Sequence, residues 1–485
     1  MADDAASTST ITSRINTSIT DISHDHLFSI LLLLPLESIL SFAMTCKKTT
    51  RLTQSHTLWK SICTRDWGHS TVDALVNSSS SPLSIDWKRL YQRLRNLDRV
   101  ACYTLTDSET SPGPRASHSL NFFSGCLVLF GGGSEGGRHL DDTWVAYIGN
   151  SFRRKMNWQR VRSEGPSGRF GHSCVVIGNC LVLFGGINDS GIRQNDTWMA
   201  QVETSTGALS WRLLDVGPIT PPTRGAHACC LIDNRRMLIH GGIGLSGMRL
   251  GDTWVLDLSE NLCFGTWHET VSHHDPVPSP RSGHTLTYIG GSRSVLFGGR
   301  GIGYEVLNDV WYFDSSEGHL KWVPIVFELR SIPNGLSLPR VGHSATLILG
   351  GRILIYGGED SYRHRKNDFW LLDISQGCIW KNLKSEGYKP KNRSFHRACA
   401  DESGRYLYVF GGMVDGILQP AEPSGLRKYQ GTFLLQSCKQ FVVLKSRRPL
   451  TKHVQGIFWE ITFRHWCFCM LPSTLSRTSK CLTSR

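Results

Sequence analysis

The sequence predicts an all-β protein of six repeated units behind a small all-α module at the N-terminus, and three observations predict it. An Arg-x-x-His pair recurs at Arg115/His118, Arg169/His172, Arg224/His227, Arg281/His284, Arg340/His343 and Arg393/His396, in steps of 54, 55, 57, 59 and 53 residues. Each pair is followed by an apolar run and two glycines: Gly131-Gly132, Gly185-Gly186, Gly241-Gly242, Gly298-Gly299, Gly357-Gly358 and Gly411-Gly412. Eleven residues after the first glycine stands an aspartate with a tryptophan two further on, at Asp142/Trp144, Asp196/Trp198, Asp252/Trp254, Asp309/Trp311 and Asp368/Trp370. A fixed period of this length marks a stacked-repeat architecture.

Within each unit a further tryptophan (Trp158, Trp211, Trp267, Trp322, Trp380) opens another short segment, which makes four strand-like pieces per unit. Runs such as Leu181-Val182-Leu183-Phe184 are apolar on consecutive positions and bounded by glycine, so they suit strands buried on both faces. The glycine pair admits backbone angles and close approach that a Cβ would block, as needed where strands crowd near an axis. Two tryptophans per unit supply the apolar area that stacks one sheet on the next.

These units resemble kelch repeats, over roughly residues 100–412. The resemblance implies a kelch-type β-propeller, six-bladed and with an atypical last blade, within residues 100–435. Ala101-Cys102-Tyr103-Thr104-Leu105 looks like an outermost strand without its blade. The sixth unit lacks its own outer half, because Glu422 stands at the aspartate offset. Pairing the N-terminal strand into the last blade would close the ring and remove an exposed edge. One more strand is then needed, for which Gly431-Thr432-Phe433-Leu434-Leu435 is the candidate. Residues 436–485 are expected to be a basic, atypical tail without a stable fold.

Ahead of the repeats, residues 1–20 are rich in Ser and Thr and are expected to be disordered. Residues 21–67 read as helices joined at Pro35, with Leu36, Ile39, Leu40 and Ala43 at helical spacing and Pro35 suited to a first turn. The leucine-rich first segment, Leu34-Pro35-Leu36, Cys46-Lys47 and Leu58-Trp59 are similar to the F-box; His26-Leu27 stands where that family usually has Leu-Pro. So small a module cannot bury all its leucines, and an exposed apolar face calls for a partner. The resemblance implies a Skp-type adaptor and, through it, a cullin and a RING subunit. Its contact candidates here are Leu27, Ile30, Leu34, Pro35, Leu36, Ile39 and Leu40. Residues 68–99 read as a linker with a helix carrying Trp87, Leu90, Tyr91, Leu94 and Leu97.

The formal charge of +13 is local: residues 426–485 hold eleven Lys/Arg against Glu460 alone. A nearly neutral body gives little attraction for nucleic acid, so a nucleic-acid partner is not expected. Fifteen cysteines without C-x-x-C pairs, and an acidic start, point to a reducing interior, nucleus and cytoplasm. The longest apolar run, Ile30 to Leu36, is too short to span a bilayer, so no membrane partner is expected.

The Arg-x-x-His residues occur in every unit, whereas a catalytic group needs to occur once, so they read as scaffold. No catalytic residue is singled out. His24-x-His26, His273-His274 and His465-x-Cys467-x-Cys469 lack completing ligands at recognised spacing, and no phosphate-binding loop is present, so neither metal nor cofactor is expected. The E-x-x-x-D-x-x-x-H signature of iron-dependent specifier proteins is also missing. Target recognition is expected on the loops after each glycine pair, at 134–141, 188–195, 244–251, 300–308 and 359–367. The resemblance implies a substrate-recruiting subunit of an SCF-type ubiquitin ligase, a non-catalytic adaptor whose propeller holds an unidentified target. The second reading is a kelch scaffold acting outside a ligase, and the third a kelch-fold enzyme. Among such proteins the chain most resembles plant members; some carry a flavin-binding light-sensing domain ahead of the F-box, which the twenty preceding residues are too few to supply.

Overall fold

Each apolar run forms the second strand of a four-stranded antiparallel meander. The structure is a computed structural model that describes residues 19–78, 85–107, 110–123, 125–148, 155–162, 164–202, 209–270, 275–316, 320–327, 338–374, 377–414 and 442–446, the last as backbone. In the second unit, for example, Ser173–Ile177, Cys180–Asn188, Arg193–Val202 and Leu209–Leu213 pair in sequence order. Hydrogen bonding gathers the repeats into five large sheets: four hold one unit each, and one of eight strands holds the fifth and sixth together. The join is Arg99–Thr104 running parallel to Ile379–Gly387. Six repeat units are therefore present in five large sheets.

Ring closure is visible in a circle of six backbone hydrogen bonds. The third residue of each Arg-x-x-His motif donates its N–H to the carbonyl of its counterpart in the preceding unit. The bonds are Gly171 to Ser117 (2.9 Å), Ala226 to Gly171 (2.7 Å), Gly283 to Ala226 (2.9 Å), Gly342 to Gly283 (2.9 Å), Phe395 to Gly342 (2.6 Å) and Ser117 back to Phe395 (2.8 Å). All six residues have positive φ, between 53° and 67°. The first strands of the units follow the same circle, each against the next and the sixth against the first.

Packing between blades follows from the period-two alternation of a strand. Val128 and Phe130 face Leu181, Leu183 and Trp211 of the next unit, while Leu127 and Leu129 face Tyr408 and Phe410 of the sixth. The glycine pair is required where blades meet. A Cβ on Gly241 would lie 2.6 Å from the Arg281 carbonyl, and one on Gly242 2.8 Å from the Gly225 carbonyl and from His227 Cβ.

In the sixth unit's half of the eight-stranded sheet, Arg397–Ala400 and Tyr406–Phe410 are followed by Val442–Ser446 and then by Arg99–Thr104. The N-terminal strand thus takes the outermost place expected for it. The strand completing the sheet is Val442–Ser446, from the segment read as a tail; Gly431–Leu435 and position 422 lie outside the described residues. A run of Val442-Val443-Leu444 has the β-branched and apolar composition that fits between two paired strands. The expectations for residues 1–18 and 447–485 also fall outside the described residues.

Six helices precede the ring: α1 (His24–Leu33), α2 (Leu36–Ala43), α3 (Lys47–Leu52), α4 (His56–Trp67), α5 (His69–Asn77) and α6 (Trp87–Arg95). Ser23, Ser55 and Asp86 cap α1, α4 and α6 by accepting backbone N–H bonds. One core unites Leu27, Leu31, Leu36, Ile39, Leu52, Leu58, Trp59 and Ile62 with Val72 and Leu75 of α5 and Trp87 and Leu94 of α6. The stretch read as a linker is therefore part of the helical core. That core also takes in Leu349 from a hairpin turn of the fifth blade, whose Arg352 donates to the Leu94 carbonyl and, at 3.3 Å, to that of Arg95.

Candidate protein-interaction surfaces

Helix α1 has apolar residues all round, so its packing decides what faces outward. Leu27 and Leu31, four apart, turn into the core, while Ile30 and Leu33 stay exposed. Arg65 on α4 donates to the carbonyls of Leu32 (2.7 Å) and Leu34 (2.9 Å), holding the bend at Pro35. Its Nε pairs with Asp66 at 2.6 Å, and the other Asp66 oxygen accepts from the Tyr91 hydroxyl at 2.6 Å. The bond to Asp66 raises the Arg65 pKa; burial and the same carboxylate raise that of Tyr91. Tyr91 in turn stacks on Trp67, so the junction is braced from α4 and α6.

The outcome is an outward set of apolar side chains, Ile30, Leu33 and Pro35 with Leu40 of α2 and Met44 just past its end, where Leu33 and Met44 are 86% and 81% exposed. Leu34 is half-buried. Leu27, Leu36 and Ile39, read from the sequence as contact residues, are in the core, because the α1 and α2 faces that bear them meet the other helices. They support the face rather than line it. Leu33 and Met44 were not singled out by sequence; the Leu27/Leu31 spacing marks the inner face and leaves Leu33 outside.

A second surface lies where the loops after the glycine pairs gather at one end of the ring. Neighbouring loops touch: the His139 N–H donates to Asp189 (2.6 Å), Arg249 lies 4.4 Å from the Tyr304 ring centre, and Arg300 is 3.7 Å from Glu359. These loops expose Ile192, Leu245, Met248, Ile302, Tyr304 and Tyr362. Tyr304 holds φ of 64°, an uncommon angle for a bulky side chain and one that loops at binding sites tend to retain. The loops expected to carry recognition thus present apolar and aromatic side chains interleaved with arginine, a composition favoured at protein interfaces.

The repeated polar residues, by contrast, are buried structure. Arg224 makes two bonds to Asp252 (2.8 and 2.6 Å) and one to the Gly241 carbonyl, and the Trp254 indole donates to the same aspartate at 2.8 Å. Equivalent pairs join Arg115–Asp142, Arg169–Asp196, Arg281–Asp309 and Arg340–Asp368. Burial alone would raise the Asp252 carboxyl, but the bond and charge of Arg224 bring it below the ordinary value. The motif histidines are buried and held neutral; burial takes His227 and His343 down to about 3. Among the described residues no three His, Cys, Asp or Glu side chains cluster as a metal site, and no helix is long and apolar enough to cross a membrane.

A six-unit ring presenting apolar and aromatic loops, joined to helices with an apolar face of their own, defines a protein-binding propeller of the kelch class. The KLHDC2/KLHL20/DRC7 Kelch-repeats domain matches residues 89–261, 203–335 and 327–421. An F-box/kelch-repeat protein of Arabidopsis thaliana is 55% identical over 86% of this chain and 92% of its own length. A putative adagio-like protein of Oryza sativa subsp. japonica is 30% identical over 78% of this chain, which spans 59% of that relative. The chain belongs to the F-box/kelch-repeat proteins.

Proposed function

We propose that this protein is the substrate-recruiting subunit of an SCF-type ubiquitin ligase. The observation that carries the reading is the outward apolar face of Ile30, Leu33, Pro35, Leu40 and Met44 in an F-box/kelch-repeat chain whose other leucines in that module are largely packed. A Skp-type adaptor covers that face and brings cullin and RING subunits, while the loop rim of the propeller binds the target. The mechanism is proximity: target lysines are held near a ubiquitin-charged enzyme at raised local concentration, so no residue of this chain performs covalent chemistry. We place the protein in the nucleus and cytoplasm on the same reading.

The test is binding of the full chain to a Skp-type adaptor beside a Leu33→Asp/Met44→Asp variant. Both side chains are exposed, so the fold is retained, and affinity is expected to fall at least tenfold. A folded wild-type protein that binds no adaptor overturns the ligase role and leaves a kelch scaffold acting elsewhere.

A further inference from the structure

The loops that follow the first five glycine pairs share one length and one turn. The sixth residue after the first glycine donates its N–H to the carbonyl three residues back: Gly137 to Ser134 (3.3 Å), Gly191 to Asn188 (2.9 Å), Gly247 to Gly244 (3.0 Å), Tyr304 to Gly301 (3.1 Å) and Arg363 to Asp360 (3.0 Å). All five hold positive φ, between 63° and 80°. Glycine takes that angle freely, and the first three loops have it. The fourth and fifth keep a tyrosine and an arginine there, whose Cβ atoms make the same angle unfavourable. The turn needs neither side chain, since glycine makes it three times. Tyr304 is 71% exposed, and Arg363 is exposed with no carboxylate paired to it among the described residues. Bulky residues held at such angles gather at binding sites.

What surrounds these two side chains shows what they can meet. The loops at 244–251, 300–308 and 359–367 hold five Lys/Arg against three Asp/Glu, whereas those at 134–141 and 188–195 hold two against three. Two of the three carboxylates on the basic side are already engaged. Glu359 accepts from the Ser394 hydroxyl at 2.8 Å, and Asp360 pairs with Lys366 at 2.7 Å and accepts the N–H groups of Tyr362 and His364, both at 2.9 Å. Arg249 meets a ring rather than a carboxylate, lying 4.4 Å from the centre of Tyr304. The same three loops expose Leu245, Met248, Ile302 and Tyr362 beside Tyr304, while the first two expose only Ile192 among the large apolar side chains of the described residues. Excess positive charge and apolar surface therefore coincide on one side of the rim.

We propose that the target is gripped on the side of the rim formed by the third to fifth loops, by Tyr304 and Arg363, through a segment that carries an aspartate or glutamate beside an apolar or aromatic side chain. This rests on the reading that the loop rim holds the target, and narrows it to three loops and one chemistry. Tyrosine and arginine are among the side chains whose truncation most often costs binding. Charge complementarity calls for an acidic segment. Glu359, 3.7 Å from Arg300 and 3.5 Å from Arg365, sets a negative charge within the cluster, which a single carboxylate tolerates better than a phosphate dianion or a nucleic-acid backbone does.

The experiment selects a displayed library of random dodecapeptides on the full chain, then measures a synthetic copy of the leading peptide on the wild type, Tyr304→Gly and Arg363→Gly. Each variant installs the residue of the first three loops, so it folds, and its unfolding midpoint should stay level or rise slightly as the backbone strain is relieved. The wild type should enrich Asp and Glu above the input, next to Leu, Met or an aromatic residue. Each variant should bind the leading peptide about tenfold more weakly. A folded wild type that enriches nothing, enriched peptides without the acidic bias, or undiminished binding by either variant overturns the proposal. A dodecamer of uridylate held by the wild type and lost by the variants assigns the loops to nucleic acid and overturns it too. A Skp-type adaptor is titrated on the same proteins. Peptide selection without adaptor binding removes the ligase role and leaves this site standing, and adaptor binding without peptide selection removes this site alone.

Discussion

The five complete repeat units and the sixth are built from the same motif but hold together differently. Each complete unit is one continuous stretch of chain, locked by a buried arginine that makes paired bonds to its own aspartate and a glycine carbonyl. The sixth is assembled from Arg397–Phe410, Val442–Ser446 and Arg99–Thr104, so its integrity rests on backbone pairing between distant segments. In stacked repeats each unit is supported by its neighbours, which lets one unit depart from the consensus while the others carry the ring. That is where Phe395 and Arg397 replace the small residues that stand at the same positions of the other units. The difference teaches that the seam, the weakest covalent point of the circle, is also where this chain has varied its interior.

Removing the middle strand of the seam should have the largest effect. Val442–Ser446 pairs with Arg99–Thr104 at five positions and with Tyr406–Phe410 at four. Truncation after residue 436 exposes both edges, and the unfolding midpoint is expected to fall by about 10 °C or more. Amide exchange should accelerate in Val100–Thr104 well before it does in the second and third units. An unchanged midpoint would show that the circle closes without this strand.

Acid should act next, and on every blade. Burial takes His227, His240 and His343 down to about 3, and holds His118, His172, His284 and His396 well below the ordinary value. Below about pH 6.5 the unfolded chain binds protons that the folded chain refuses. Stability is therefore full above that value and falls as the pH drops toward about 3, by up to about 1.4 kcal/mol per pH unit for each histidine. The midpoint should fall steeply between pH 7 and 5. His118→Phe should relieve part of this slope at little cost, since neither ring nitrogen of His118 has a hydrogen-bond partner among the described residues, whereas His227→Phe also strips Ser173 Oγ of its partner. Equal costs for the two would show that the bond between Ser173 and His227 adds nothing to the joint between the second and third units.

Much of this was legible in the chain because a repeat states its contacts several times over. The constant spacing from the first glycine to aspartate reflects one arginine–aspartate–tryptophan lock, and the orphan strand at residues 101–105 announced its place in the last sheet. The outward face of the helices was harder to read. Leu27, Phe28, Ile30, Leu31, Leu32 and Leu33 fill every side of α1, so no apolar stripe separates inside from outside until α4 is packed against it. Val442–Ser446 was also hidden, because it has no motif of its own and its pairing is fixed by two edges that only the closed ring brings together.

The smallest effect expected tests whether the locks between complete units are interchangeable. The threonine between aspartate and tryptophan accepts a bond from the later tryptophan of the next unit: Thr143 from Trp211 (3.0 Å), Thr197 from Trp267 (3.2 Å) and Thr253 from Trp322 (3.0 Å). The fourth unit has Val310 there, so the buried indole nitrogen of Trp380 finds no hydroxyl acceptor from the preceding unit and has only the thiol of Cys378 beside it. Threonine has nearly the shape of valine, so Val310→Thr adds an acceptor without adding volume. Because the hydroxyl is bonded once buried, it should stabilise by about 0.5–1.5 kcal/mol, visible as a small rise in the urea midpoint at unchanged slope. The reverse change, Thr253→Val, should cost about 1–3 kcal/mol by leaving the Trp322 indole unpaired. A loss of stability in Val310→Thr would mean that its hydroxyl does not reach the Trp380 indole, and that the fourth and fifth blades stack at an offset from the spacing the earlier pairs share.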